Sequence, residues 1–305
     1  MEAPSSSTGS PELSVVVPSV NGFDDLGPCL AALDAERRRT SLEALVVDRC
    51  GEAVRARIRH EHAWVRLIEA DPRTTIPDLR AMAFAAARAP VVAVIEDHVL
   101  VPPGWADQLL LAQRQGLTVV GGSVRNAATE RTVDWAAFLC EYSHLLPPLT
   151  AGPVMSITGN NTAYRRDLLE RFRDAVTSGR WENHLHETLR AHGEQLYCRP
   201  EIEVRHKKHY TVREYTAQRY LYARSYAAAR VQGRPAFVAA AYGLAATLLP
   251  PVLLGRIVKN AWSRPAYRGV LGRSLPLLTV FVTAWAAGEM VGAWRGPGDS
   301  LSRVC

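Results

Sequence analysis

Short, continuous apolar runs alternate with stretches of helical period through the first two-thirds of the chain. Residues 13–18 (LSVVVP), 44–48 (ALVVD), 65–68 and 91–95 (VVAVI) are rich in β-branched residues and have the length of buried strands. Turn chemistry separates them from helical segments: Ser19-Val20-Asn21-Gly22 precedes a helix to about Arg38, with Asp24 or Asp25 as its cap, and Cys50-Gly51 precedes one to about His60. Such alternation predicts an α/β fold, Rossmann-like, with a mostly parallel sheet and a nucleotide-binding half-domain. Further on, Pro102-Pro103-Gly104 turns the chain into a helix from Trp105 to about Gln115, and 118–124 (TVVGGSV) reads as a strand with close-packing glycines. Residues 126–153 have no clean period and are expected to include a mobile loop. A Gly159-Asn160-Asn161 turn leads into a helix at 166–173, residues 181–196 carry a helical stripe of Leu185, Leu189 and Leu196 ended by Gly193, and 199–206 is a last strand.

The polar residues that end these runs carry the candidate chemistry. The strand 91–95 stops abruptly in Glu96-Asp97-His98, three groups that a closed core does not accept unpaired. Glu96 and His98 fall on the same side of an extended backbone, and imidazole with carboxylate suits a transition metal such as Mn²⁺. The open end of an α/β sheet is also where ligands bind. His184 and His186 are two apart on a helix, face different directions and are expected at the surface.

Composition narrows the classes. A chain of 305 residues, 48% hydrophobic and 22% charged, excludes wholesale disorder, and its net charge of +6 calls for an anionic partner. Nucleic acid is disfavoured, since no zinc knuckle, aromatic RNA platform or recognition motif is visible. Five scattered cysteines without metal-type spacing read as reduced thiols of a cytosolic domain, and residues 1–11, small and Ser-rich, read as a disordered tail without a signal peptide.

Taken in order, these motifs resemble the GT-A glycosyltransferases, especially the large family-2 group. The stretch EDHVLVPPGW is similar to the family's DxD region with its Pro-Gly-Trp turn, here with Glu96 first and His98 last. The resemblance implies a divalent cation, Mn²⁺ or Mg²⁺, held against the diphosphate of a nucleotide sugar by Glu96 and His98. Pro18 and Asn21 match the opening Pro-x-x-Asn turn, and Asp48 matches the carboxylate that contacts the nucleobase, although Arg49 stands where a second acid or Asn is common. Arg80 falls where the family places a phosphate-contacting arginine, the alternative being a solvated helix residue. Gly159 and Asn160 resemble the segment bordering donor sugar and acceptor. With Asp97, these complete the implied nucleotide-sugar site. The family's Glu-Asp motif appears as Glu182-Asn183. Asn cannot take a proton, so the resemblance leaves Glu182 as catalytic base, or else as a mere helix cap. His206 is a third implied metal ligand, or a surface histidine in a basic stretch.

After His206 the pattern changes. Residues 207–234 carry seven Lys/Arg and one acid with interleaved tyrosines, 236–255 hold no charge, and 275–294 are apolar apart from Glu289. A basic, Tyr-rich segment before an apolar run is expected at a cytoplasmic membrane face. Pro250-Pro251 should bend the first run. The loop between the runs is basic, so two simple spans conflict with a cytosolic catalytic domain. The runs therefore re-enter, lie in the inner leaflet, or are core helices of a soluble fold. The expected organisation is a tail (1–11), a catalytic domain (12–206), a basic interfacial helix (207–235) and a hydrophobic membrane-associated region (236–305). The implied function is metal-dependent, inverting transfer of a sugar from a nucleotide-diphosphate donor to a lipid-linked or saccharide acceptor. Its rivals are a sugar nucleotidyltransferase and a non-catalytic nucleotide-binding membrane subunit.

Overall fold

A computed structural model describes residues 10–304; most of the expected tail lies outside them. The strands are β1 (Leu13–Ser19), β2 (Leu42–Asp48), β3 (Arg66–Glu69), β4 (Val91–Val94), β5 (Val99–Leu100), β6 (Val119–Gly121), β7 (Val124–Asn126), β8 (Gly152–Val154), β9 (Thr162–Arg165), β10 (Leu196–Cys198) and β11 (Val204–His206). The helices are α1 (Phe23–Arg37), α2 (Glu52–Glu61), α3 (Ile76–Ala86), α4 (Trp105–Arg114), α5 (Thr132–Tyr142), α6 (Arg166–Arg171), α7 (Arg173–Val176), α8 (Glu182–Ala191), α9 (Val212–Val231), α10 (Ala236–Ala245), α11 (Leu249–Trp262), α12 (Arg268–Arg295) and α13 (Ser300–Arg303).

Eight strands form one sheet in the order β3-β2-β1-β4-β9-β6-β10-β8, and β5-β11-β7 form a small second sheet. The half from β3 to β4 is parallel, as the alternation predicts. The expectation of a mostly parallel sheet is nevertheless corrected, because β9 inserts antiparallel to both β4 and β6, and β8 runs antiparallel to β10. The fold is GT-A-like with a mixed sheet. Two consequences follow for the sequence reading. The Gly159–Asn161 turn enters β9 before α6, so no helix start borders that turn. The apolar run 118–124 is divided between the two sheets, and at the break a Cβ on Gly122 would sit 2.1 Å from the Ile202 carbonyl.

Helix α5 occupies the stretch expected to be mobile. Ala136, Phe138 and Leu139 are buried in the same core as β1 and β4, and so are Leu271, Leu278 and Phe281 of α12. Sandwiched between the sheet and α12, α5 is apolar on several faces, which removes the one-sided period that marks a surface helix. Helix α1 starts at Phe23 without a side-chain cap, so neither Asp24 nor Asp25 plays that part. The α4 start is instead satisfied from a distance, with buried Glu36 accepting the amides of Gly104 and Ala106 at 2.9 Å each.

Two C-terminal segments, Ala236–Trp262 and Pro265–Arg295, are long and apolar enough to cross a membrane. They differ in cover: 11% of the first segment's apolar window is buried, against 39% of the second. Pro250 and Pro251 sit in the first turn of α11, after a single 3₁₀ turn, where a missing N–H costs nothing. Helix α12 lies along α9, with Phe281 against Tyr215 at 4.6 Å between ring centroids. Gly288 and Gly292 give that contact its closeness, since a Cβ there would meet the carbonyls of Tyr220 and Arg224 at 2.3 and 2.2 Å.

Candidate active site

Register brings the metal-type residues together. His206 pairs with Val99 across β11 and β5, and the Lys207 amide donates to the His98 carbonyl at 2.9 Å. His98 and His206 therefore face each other with Nε2 atoms 3.0 Å apart, and Glu96 Oε2 lies 3.3 Å from His98 Nε2. The ligand atoms of all three residues lie within 4.8 Å of one another. Both imidazoles are buried, which removes the surface alternative for His206.

Asp97 plays a different part from its neighbours. Its carboxylate accepts the amides of Val20 and Asn21 (2.8 and 2.9 Å), the Asn21 side-chain amide (2.7 Å) and His98 Nδ1 (2.9 Å). It thus ties the β1 turn to the end of β4 and turns His98 Nε2 toward Glu96 and His206. A carboxylate behind an imidazole is the arrangement that orients metal-binding histidines. The donor set fits a divalent transition ion: one carboxylate, two imidazoles and an oriented ring.

Electrostatics at this cluster are strongly coupled. Burial would raise the Glu96 carboxyl, but the bond and charge of His98 outweigh it and leave it at about 2. Burial would likewise discharge His98, yet Asp97 and Glu96 hold its proton up to about 10. His206, buried and facing that cation, is pushed down to about 3. A proton on His98 Nε2 faces the His206 ring nitrogen 3.0 Å away.

Beside the cluster, Arg80 of α3 is buried and reaches Glu182 Oε2 at 2.7 Å, the Gly159 carbonyl at 3.2 Å and Glu96 Oε1 at 4.0 Å. The solvated alternative for Arg80 does not apply. Glu182 opens α8 with its carboxylate on Arg80, and no side-chain cap bond is made at that helix start. Pro18, Asn21, Arg80, Glu96, Asp97 and His98 border one small cavity of about 40 Å³.

Asp48 and Asn160 do not border it. Both Asp48 oxygens are engaged, by Ser19 Oγ (2.8 Å), the Gly51 amide (3.1 Å) and Arg55 Nε (2.9 Å). Asn160 is fully buried, and neither its side-chain oxygen nor its nitrogen has a partner among the described residues. Arg49 donates to the carbonyls of Thr74 and Val304, and Val304 is buried with Ile76, Trp181 and Leu221. Val304 thereby packs against Ile76 and Trp181, which also border the small cavity.

Two residues were missed or misread from sequence. Glu141 of α5 borders the same cavity, accepts the Tyr215 hydroxyl at 2.8 Å and is raised by burial. His186 is buried against the Tyr164 hydroxyl at 2.7 Å rather than exposed, and burial lowers it to about 4. A polar residue on a helix without a clean period gave no signal for Glu141. For His186 the signal was present in Leu185 and Leu189, which flank it on the buried side of α8.

The sheet order, with the acidic turn after β4 and a histidine closing β11, defines a GT-A-like glycosyltransferase fold. The chain belongs to glycosyl transferase family 2, whose sequence profile matches residues 14–173. A mannosyltransferase from Pyrobaculum calidifontis, solved in complex with GDP-Man and Mn²⁺, shares the fold with a TM-score of 0.53 and 17% identity over 92% of this chain and 88% of that one. No curated protein matches the chain.

Proposed function

We propose that the protein is a membrane-associated glycosyltransferase that moves a sugar from a nucleotide-diphosphate donor to an acceptor hydroxyl, with inversion, at the cytosolic membrane face. The observation that carries this reading is the Glu96–His98–His206 cluster at the open end of β4, next to the Arg80–Glu182 pair. Glu96, His98 and His206 would hold a divalent cation, Mn²⁺ or Mg²⁺, and the Mn²⁺ of the structural relative supports that assignment. When bound, such an ion supplies positive charge against a diphosphate leaving group.

Pro18, Asn21, Arg80, Gly159 and Asn160 then form the donor site. Arg80 offers a buried cation to the diphosphate, and Asn160, fully buried next to Gly159, backs that wall. Asp48 and Asp97, whose oxygens are engaged within the protein, hold the walls of that site. In the transfer step the acceptor oxygen bonds to the anomeric carbon as the carbon–oxygen bond to the diphosphate breaks. The hydroxyl proton passes to Glu182. Arg80 keeps that carboxylate in place until the acceptor arrives.

Glu182→Gln tests this directly, since Gln keeps the size and the contact to Arg80 but takes no proton. Transfer should fall by about a hundredfold or more while donor binding stays near wild type. Turnover within a few-fold of wild type would remove Glu182 from the role. A second reading, a nucleotide-binding membrane subunit without transfer activity, is favoured by Asn183 and by the tight Arg80–Glu182 pair. It predicts donor binding without turnover in the wild type itself.

A further inference from the structure

Glu96 and Arg80 also border, now with Glu182, a second, larger cavity of about 450 Å³ that leads away from the donor side between α5, α9, α11 and α12. Its far wall is cationic. Arg219 and Arg230 come from α9, Arg256 from α11, and Trp285 of α12 closes one side. Arg230 is paired with Glu289 at 2.6 Å. Arg219 is not paired as closely: its guanidinium lies over the Trp285 ring at 4.0 Å, and the nearest carboxylate oxygen, on Glu141, is 3.9 Å away. Its Nε is buried without a hydrogen-bond partner among the described residues. Arg256 is exposed at the rim and makes no ion pair among the described residues.

Three guanidinium groups face two carboxylates there, Glu289 firmly paired with Arg230 and Glu141 at the edge of ion-pair distance from Arg219, so the wall is left with surplus positive charge, centred on Arg256, unpaired among the described residues. Planar guanidinium forks fit the oxygens of a phosphate, and a buried N–H without a partner costs free energy until an acceptor arrives. At the rim the chemistry changes. The α10–α11 segment beside Arg256 exposes Leu244, Leu248 and Val252, an apolar face suited to an alkyl chain.

We propose that this arm of the cavity is the acceptor subsite, and that it takes an amphiphile whose head group carries a phosphate. The phosphate sits against Arg219 and Arg256, the reacting hydroxyl lies toward Glu182, and the hydrocarbon leaves along α10–α11. This deepens the transferase reading and rests on it for the word acceptor, while the subsite itself rests on the arginines. A lipid head group is favoured over a soluble phosphate ester because the charged wall continues into an exposed apolar face.

The test is calorimetry on the full chain in neutral maltoside micelles, titrated with a short-chain alkyl phosphate, glycerol phosphate and an alkyl maltoside. The alkyl phosphate should bind at least about tenfold more tightly than glycerol phosphate, with no heat from the maltoside. Arg256→Gln and Arg219→Gln should each weaken it by about tenfold or more. Arg256 is exposed, so its variant keeps the test decisive if the Arg219 variant does not fold. Equal binding by wild type and the Arg256 variant overturns the subsite, and glycerol phosphate matching the alkyl phosphate overturns the lipid source. A parallel titration with Mn²⁺ and a nucleoside diphosphate should be unchanged in the Arg256 variant. If that titration fails in the wild type while the alkyl phosphate binds, the donor reading falls and the anionic subsite stands.

Discussion

At the scale of single residues, Asp97 shows how much of the site is orientation. Both its oxygens are engaged within the protein, and they fix both the His98 ring and the Val20–Asn21 turn. Asp97→Ala should therefore weaken Mn²⁺ binding about ten- to a hundredfold without removing a ligand, as metal titration can measure. Unchanged affinity would mean that the turn alone sets the ring. Metal and proton also compete for His98 Nε2, so Mn²⁺ affinity should rise with pH throughout the range below about 10, releasing a proton on binding. The acid-x-His pattern at a strand end made Glu96 and His98 legible in the sequence. The partner His206 depended on a resemblance, because its approach to His98 is set by β5–β11 register. Asp97's structural part, and the full engagement of Asp48, were not legible at all. Both depend on which distant amides and guanidinium groups reach a carboxylate, and sequence spacing does not contain that.

Elements were legible where each buries one face or both, and illegible where two neighbours cover them unevenly. The runs of β1, β2 and β4 announce themselves, whereas β9 hides its antiparallel insertion, since strand direction leaves no mark on composition. Helix α8 was read from its leucines, but His186 on its buried side was not. That residue carries a pH signature: the unfolded chain takes up its proton near 6.5, and the folded chain only near 4. Its contribution to stability is complete above about 6.5 and is lost as pH falls toward 4. Between pH 7 and 5 this amounts to roughly 2 kcal/mol, which His186→Leu should abolish from the pH dependence of unfolding. An identical pH dependence in the variant would show that burial does not keep this imidazole neutral. The α9–α12 contact makes a second prediction. Gly288→Val should cost at least about 1–3 kcal/mol, because neither backbone can give way inside a packed pair, and it should lower the thermal midpoint. Exposed Gly255→Val, with open space around it, tests only helix and surface effects.

In the whole molecule, the core of the large sheet runs on into α12 through Leu271, Leu278 and Phe281, while α10, α11 and the 3₁₀ turn between them leave Phe237, Leu244, Leu248 and Trp262 largely exposed. Burial of that exposed face in hydrocarbon outweighs the charge term, which is about 1 kcal/mol for each Lys or Arg near an anionic surface. High salt alone should leave the full chain in the membrane fraction. Release by salt would assign α10 and α11 to contacts within a soluble protein. The basic stretch and the two apolar runs were readable from sequence, but not that α12 joins the core of the sheet along much of its length, and α11 through Ile257 and Ala261, while α10 stays largely outside it. The close packing of α12 on α9 depends on Gly288 and Gly292, which look like unremarkable small residues until α9 is beside them. The most direct test of the whole account is calorimetric titration of a nucleoside diphosphate into the intact protein with Mn²⁺ or with EDTA, on wild type and His98→Ala. The Glu96–His98–His206 site predicts tight binding only with Mn²⁺ and only in the wild type. Equal affinity in EDTA, or an unaffected His98→Ala variant, would contradict it.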